Sequence, residues 1–250
     1  MSAPVQGYYE KPELVSQYLD FHYGSYEPSL AKWHAPELLR SFPERVAELG
    51  MQYVGTERRG RALDLGCAVG ATTFHLSTHF EEVTGIDFSK NFIDVCRKMA
   101  EKKMLNYSHM EEGKRISKTV AHLPTSARPD VVHFEQGDAC RLWRDLGRFD
   151  LIVMANLIDR LPDPEKCLAD LEFFTSPESI VLITSPYTWM EEFTPRAKWL
   201  GGSEGTLHSL KQSMSPFFDL LEVHDVPFLI REHRRKYQAS IAEATVWKRR

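Results

Sequence analysis

The run Leu63-Asp64-Leu65-Gly66-Cys67-Ala68-Val69-Gly70 holds the residue types and spacing that most directly suggest chemistry. Small residues at 66, 68 and 70 let backbone approach a ligand closely. A helix opening at Gly70 would aim its free N–H groups at negative charge. Asp87 follows in Thr84-Gly85-Ile86-Asp87-Phe88, where a strand-end carboxylate can accept both hydroxyl hydrogens of a ribose and Phe88 can lie against a base. In Gln136-Gly137-Asp138-Ala139, Asp138 is placed to accept from an exocyclic amino group, with Ala139 in the same turn. The three carboxylates describe a site for a nucleoside-bearing cofactor.

A glycine-rich turn alone is a weak signal, and a nicotinamide or flavin dinucleotide is the natural rival. Three features favour S-adenosylmethionine. Asp64 lies inside the first strand, two residues before Gly66, where a dinucleotide fold normally has an apolar residue. The turn reads Gly-x-Ala-x-Gly, which departs from GxGxxG spacing. Gly137-Asp138-Ala139 then supplies an adenine contact after the third strand. Turn punctuation by glycine does not account for carboxylates at three strand ends.

Such a site needs strands alternating with helices. Apolar runs predict strands over 61–66, 83–87, 131–136, 149–155 and 180–185. Helices are expected over 70–80, over 89–103 with Ser89 as its cap, and over 164–174. Residues 8–54 look helical, interrupted at Pro28, Pro36 and Pro43, and would form an N-terminal cap over 1–54. The segments 217–226 and 239–247 predict a closing antiparallel hairpin. Two insertions stand out: 104–130, a hairpin turning at Glu112-Gly113, and 186–205, rich in aromatic and charged residues. The expected fold is α/β and Rossmann-like, a mostly parallel sheet with ligands beyond its strand ends.

Composition narrows the classes. With 250 residues, 42% of them apolar and no repeat or linker, the chain is expected to form one domain over 1–250. A net charge of −4 argues against a dedicated nucleic-acid binder. The four cysteines form no CxxC pair and read as reduced thiols. No export signal opens the chain, and its longest apolar run, 151–155, is far below the roughly 20 residues of a membrane span. A cytoplasmic protein is expected.

The cofactor motifs resemble the class I S-adenosylmethionine-dependent methyltransferases. That resemblance implies a seven-stranded sheet of order 3-2-1-4-5-7-6 with strand 7 antiparallel. Several further motifs resemble a narrower group, the 4-mercaptohistidine N1-methyltransferase family. They are Tyr8-Tyr9-Glu10, Phe21-His22-Tyr23-Gly24, the turn over 62–70, and Ala155-Asn156-Leu157-Ile158-Asp159-Arg160-Leu161. The lid segment adds Ser185-Pro186-Tyr187-Thr188-Trp189, Glu191-Glu192-Phe193-Thr194-Pro195 and Lys198-Trp199-Leu200-Gly201-Gly202. Val226-Pro227-Phe228 and Ile230-Arg231-Glu232 complete the set, which covers about residues 8–250; the segment 104–130 departs from it. The resemblance implies methylation of a ring nitrogen of 5-thiohistidine (4-mercaptohistidine), the last step of ovothiol A biosynthesis. It also implies a functional link to an iron sulfoxide synthase, here as a stand-alone module. The alternatives are the same chemistry on another histidine-like metabolite, or a catalytically silent S-adenosylmethionine-binding partner of such a synthase.

Candidate substrate residues follow. Asn156-Leu157-Ile158-Asp159 lacks the Pro-Pro-aromatic element of nucleobase amine methyltransferases, which favours a small molecule; Asn156 can meet the cofactor's methionine end or the substrate. Asp159 and Arg160 suit the ammonium and carboxylate of an amino acid, with Arg231 as rival for the carboxylate. Surface ion pairing is the plain alternative for both arginines. Tyr8, Tyr9, His22 and Tyr23 can sandwich an imidazole, and Tyr187, Trp189 and Trp199 can line the lid; core packing is the plain alternative for each. Glu191 and Glu192 can bind an ammonium or simply face solvent. His22 or Asp159 can take the proton that the ring loses. His75 and His79 have i,i+4 spacing without a third ligand, so no metal is expected.

Overall fold

A computed structural model of the chain describes residues 8–25, 38 and 40–250. The breaks expected at Pro28 and Pro36 lie outside the described residues. Two helices precede the sheet, α1 (Pro12–Tyr23) and α2 (Phe42–Tyr53), each with proline in its first turn. The alternation then runs β1 (Arg61–Leu65), α3 (Ala71–Leu76), β2 (Glu82–Asp87), α4 (Lys90–Lys102), β3 (Met104–Glu112) and β4 (Arg115–His122). It continues with β5 (Val132–Gln136), β6 (Phe149–Ala155), α5 (Pro164–Asp170), β7 (Thr175–Ser185), α6 (Thr206–Met214), β8 (Phe218–His233) and β9 (Lys236–Arg249).

Seven strands form one sheet in the order β5-β2-β1-β6-β7-β9-β8. With the separate β3–β4 hairpin left out, this is 3-2-1-4-5-7-6. Strands β5, β2, β1, β6 and β7 pair in parallel, and β9 runs antiparallel to both β7 and β8. Strand β1 is short and buried because helices cover both faces of the sheet. Leu63 and Leu65 point toward the layer of α5 and α6, while Ala62 points toward Phe42, Val46 and Leu76 of α2 and α3. Ser89 caps α4 as expected, accepting from Phe92 N–H.

Two differences from the sequence expectations matter. No helix is anticipated over 206–214, yet α6 forms there and buries Leu210 and Met214 against the α5 side of the sheet. Strands β8 and β9 also extend well past 226 and 239 as a two-stranded ribbon. Phe228 and Ile230 on this ribbon pack toward Phe21 and Phe42, so tertiary burial lengthens strands whose own alternation is weak. Among the described residues, no helix is long and apolar enough to cross a membrane.

Candidate active site

The carboxyl ends of the parallel strands open into a cavity of about 450 Å³. At the turn after β1, the Gly66 and Cys67 N–H groups both donate to Ile86 O, at 2.8 and 3.0 Å. Gly66 has φ of +79°, and a Cβ there would stand 2.7 Å from Leu157 Cδ1, so both backbone and space call for glycine. Asp87 accepts from Ala68 N–H at 2.9 Å on one oxygen and from Ser89 N–H at 2.8 Å on the other. Burial pushes its carboxyl up to about 6 against the pull of those N–H groups. Asp64 accepts from Thr73 Oγ1 at 2.6 Å through Oδ2, while its Oδ1 is buried without a partner. Burial raises this carboxyl to about 7, with the Thr73 hydroxyl opposing. Asp138 Oδ1 accepts from Cys140 N–H at 2.8 Å, and Phe88 lies across the cavity with its ring 37% exposed.

The other end of the cavity is aromatic and cationic. Residues 8–10 form a strap before α1, held on the N-terminus of α4. There the Glu10 carboxylate accepts from Lys90 N–H at 3.0 Å and Asn91 N–H at 3.2 Å. Tyr8 and Tyr9 on this strap meet Phe193 of the 186–205 loop, with ring centroids 5.5 and 5.8 Å apart. Arg160 lies 5.1 Å from the same Phe193 ring. Its NH1 donates to Asp159 Oδ2 at 2.9 Å and to Thr188 O at 2.7 Å, and Thr188 N–H donates to Asp159 Oδ2 at 3.0 Å. Asp159 thus ties the loop after β6 to the loop after β7 and aims the guanidinium; burial raises its pKa, with Arg160 opposing. His22 is buried, and its Nδ1 accepts from Ala71 N–H at 3.3 Å. Burial, with His75 next, lowers its pKa to about 3, so the ring is neutral with its proton on Nε2, and the residue lines the cavity. Asn156 sits at φ +51°, its Oδ1 accepting from Thr184 Oγ1 at 3.0 Å.

The family model described as "Methyltransferase domain" matches residues 33–217. The chain belongs to this methyltransferase family. Relatives are distant: the ubiquinone biosynthesis O-methyltransferase of Coxiella burnetii is 27% identical over 115 residues, covering 46% of this chain and 38% of that one. The ajmaline N-methyltransferase of Rauvolfia serpentina is 23% identical over 66% of this chain and 50% of its own length. The chain therefore aligns with half or less of these curated relatives. The fold is also that of the magnesium protoporphyrin IX methyltransferase from Synechocystis crystallised with S-adenosylmethionine, with TM-score 0.58, 13% identity, and 98% and 97% of the two chains covered. The N-methyltransferase NodS of Bradyrhizobium japonicum, in complex with S-adenosyl-L-homocysteine, gives TM-score 0.55 at 13% identity over 94% and 98%.

The lining of this cavity fits S-adenosylmethionine. The unpartnered Asp64 Oδ1 suits the cofactor's ammonium, Asp87 keeps lone pairs for ribose hydroxyls, and Phe88 with Asp138 suits an adenine. Gly66, Cys67, Ala68, Ala139 and Asn156 line the same space. So do Tyr8, Tyr9, His22, Asp159 and Arg160.

Eight of the residues singled out from sequence for cofactor or substrate lie outside the lining. Gly70, at φ +84°, shapes the turn from behind. The Tyr23 hydroxyl donates to Val69 O at 2.8 Å and clamps α1 to that turn. Tyr187 donates to Glu243 Oε1 at 2.6 Å, and Trp189 Nε1 donates to Thr206 Oγ1 at 3.2 Å. Glu191 is exposed and 3.9 Å from Arg196. Arg231 is held by Glu111 at 3.3 Å, in a network where His109 joins Glu111 to Asp20 of α1. Glu192 and Trp199 also lie off the lining; the Trp199 indole N–H donates to Thr194 O at 2.8 Å. Sequence reasoning passed over Thr73, which orients Asp64, and Thr188, which orients Asp159. Tyr18 and Phe193 were passed over as well, although Phe193 lies in a motif already noticed. A hydroxyl in the first turn of the helix after the glycine-rich strand end is a signal that could have found Thr73.

Proposed function

We propose that this methyltransferase moves a methyl group from S-adenosylmethionine to an imidazole ring nitrogen of 5-thiohistidine, forming ovothiol A. The observation that carries the reading is Arg160, braced by Asp159 and Thr188 at the wall of a small aromatic cavity. A zwitterionic heteroaromatic amino acid has the complementary parts: a carboxylate for the guanidinium and a flat ring for Tyr8, Tyr9 and Phe193. The resemblance in the lid and strap motifs supports the same substrate. An enzyme that installs sulfur on histidine, of the iron sulfoxide synthase type, would supply it.

S-adenosylmethionine supplies a methyl group made electrophilic by its positively charged sulfur. The protein's task is alignment and exclusion of water. Asp64, Asp87, Asp138 and Phe88 hold the nucleoside and amino-acid parts. The strap and Phe193 cover the reacting end. His22, which lines the cavity with its proton on Nε2, orients the substrate by donating rather than by accepting a proton. Asp159, charge-paired with Arg160 on the cavity wall, is the carboxylate assigned to take the proton that the ring loses.

Mass spectrometry and proton–carbon NMR of the product test the reading, with histidine and ergothioneine as controls. One methyl on the ring nitrogen of 5-thiohistidine, and none on histidine, is the expected result. Arg160→Ala should raise KM for 5-thiohistidine by about ten- to a hundredfold, the scale of a hydrogen bond to a charged group, while KM for the cofactor moves little. Transfer to neither compound, with cofactor binding intact, would overturn the assignment.

A further inference from the structure

The hardest demand on the proposed reaction is selectivity. A thiolate is a softer and better methyl acceptor than the ring nitrogen beside it, so alignment must be aided by something that occupies the sulfur. Tyr18, on α1, lines the cavity and has no role in the account so far. Its ring is fixed by Phe92, 4.8 Å away between centroids, and by Tyr9, edge-on at 6.1 Å and 82°.

The charges of Asp87 and Arg160 both bear on the Tyr18 hydroxyl, and both bear on that of Tyr9. Tyr18 is joined to the substrate end through packed rings: Tyr9 meets Phe193 at 5.8 Å between centroids, and Arg160 lies 5.1 Å from the same Phe193 ring. A phenol has one proton to give. These ring contacts fix the ring and leave the Tyr18 hydroxyl proton for an acceptor in the cavity that Tyr18 lines. Burial pushes Tyr18 up to about 12, so it stays a protonated donor through the neutral range.

We propose, resting on the reaction above, that Tyr18 donates its hydroxyl hydrogen bond to the sulfur of the substrate and so decides which atom is methylated. Held this way, one thiolate lone pair is occupied and the sulfur is turned from the methyl. The ring-nitrogen lone pair then forms the new N–C bond as the methyl–sulfur bond breaks with its electrons to the departing sulfur, and the ring proton leaves to Asp159 or solvent. Tyr18 is a specificity-determining residue, and removing its oxygen should release the competing S–C bond formation.

Tyr18→Phe keeps the ring against Phe92 and Tyr9 and removes only the donor. The test is the ratio of N-methyl to S-methyl product from 5-thiohistidine, read by NMR and mass spectrometry. That ratio should fall by about ten- to a hundredfold in Tyr18→Phe, the worth of one hydrogen bond to a charged group. Tyr9→Phe, which keeps the edge-on ring against Tyr18, should shift the ratio by less. Cofactor affinity measured by calorimetry establishes that each variant is folded. N-methyl product from the unaltered enzyme with an unchanged ratio in Tyr18→Phe would overturn this assignment alone. If the unaltered enzyme makes no methylated thiohistidine, the substrate reading fails first and this assignment fails with it.

Discussion

Asp64 holds an unresolved charge: Thr73 satisfies one oxygen, and the other is buried with no donor. Burial raises this carboxyl from 3.8 to about 7, so the folded protein holds a proton that the unfolded chain has already lost. Its contribution to stability is therefore complete below about pH 4 and fades as pH rises through about 7. Cofactor binding runs the opposite way, because an ammonium needs the ionised carboxylate. Affinity for S-adenosylmethionine should rise about tenfold between pH 6 and pH 8, as the ionised fraction of a group with pKa near 7 does. Asp64→Asn should flatten that profile, and titration calorimetry at both pH values checks it. His22 behaves differently at the same scale. Burial and the Ala71 N–H keep it neutral with a fixed tautomer, so it contributes no step to the profile above pH 5.

The strap over residues 8–10 and helix α4 work as one element. Glu10 closes two open N–H groups of α4 from outside the helix, and Asn91 Nδ2 returns a hydrogen bond to Glu10 O at 2.8 Å. Ser89, the cap of α4, also donates to Tyr9 O at 3.3 Å. The strap's grip is thus built on the helix that follows the ribose carboxylate, and the gate at Tyr8, Tyr9 and Phe193 depends on it. Glu10→Ala should weaken this end of α4 by about 1 kcal/mol, the usual cost of a lost cap. Hydrogen exchange at residues 8–11 should speed up, and cofactor dissociation should become several-fold faster in stopped-flow displacement. Unchanged exchange and dissociation would mean that the aromatic contacts alone hold the strap. The hairpin β3–β4 supports α1, the helix that follows the strap, with Tyr107 donating to Asp20 Oδ1 at 2.9 Å and Arg231 reaching Glu111. Arg231 therefore acts on the site through the placement of α1.

For the whole molecule, sheet and cavity respond together, because the cavity is lined from the carboxyl ends of β1, β2, β5 and β6. S-adenosylmethionine at a hundred times its Kd should add about 2.7 kcal/mol to stability and raise the thermal midpoint. A nicotinamide dinucleotide should leave the midpoint unchanged, and differential scanning calorimetry separates the two. Much of this architecture is legible along the chain. The mostly parallel sheet and its closing hairpin follow from strands that alternate with helices and then break into two strands without a helix between them. The strand order is what the methyltransferase resemblance implies. The cofactor end follows from carboxylates at strand ends, since a strand that stops at a glycine or an acidic residue brings it to the sheet's rim in any parallel fold. The hairpin turning near Gly113, the Ser89 cap and strand β6 are equally local. Each is set by residues within a few positions of one another.

The substrate end is different. Nothing in the spacing tells Arg160 from Arg231; one lines the cavity, and the other is held by Glu111, 120 residues away along the chain. Tyr187 is turned aside by a backbone at φ +54° and a bond to Glu243, and Tyr23 spends its hydroxyl on Val69, while Tyr18, five residues earlier, faces the cavity. Sequence alone determined the sheet, the glycine turn and the strand-end carboxylates, because backbone periodicity and strand termini are short-range properties. Only the tertiary structure decided which aromatic and charged side chains meet, because that depends on loop dihedrals and on partners far away along the chain.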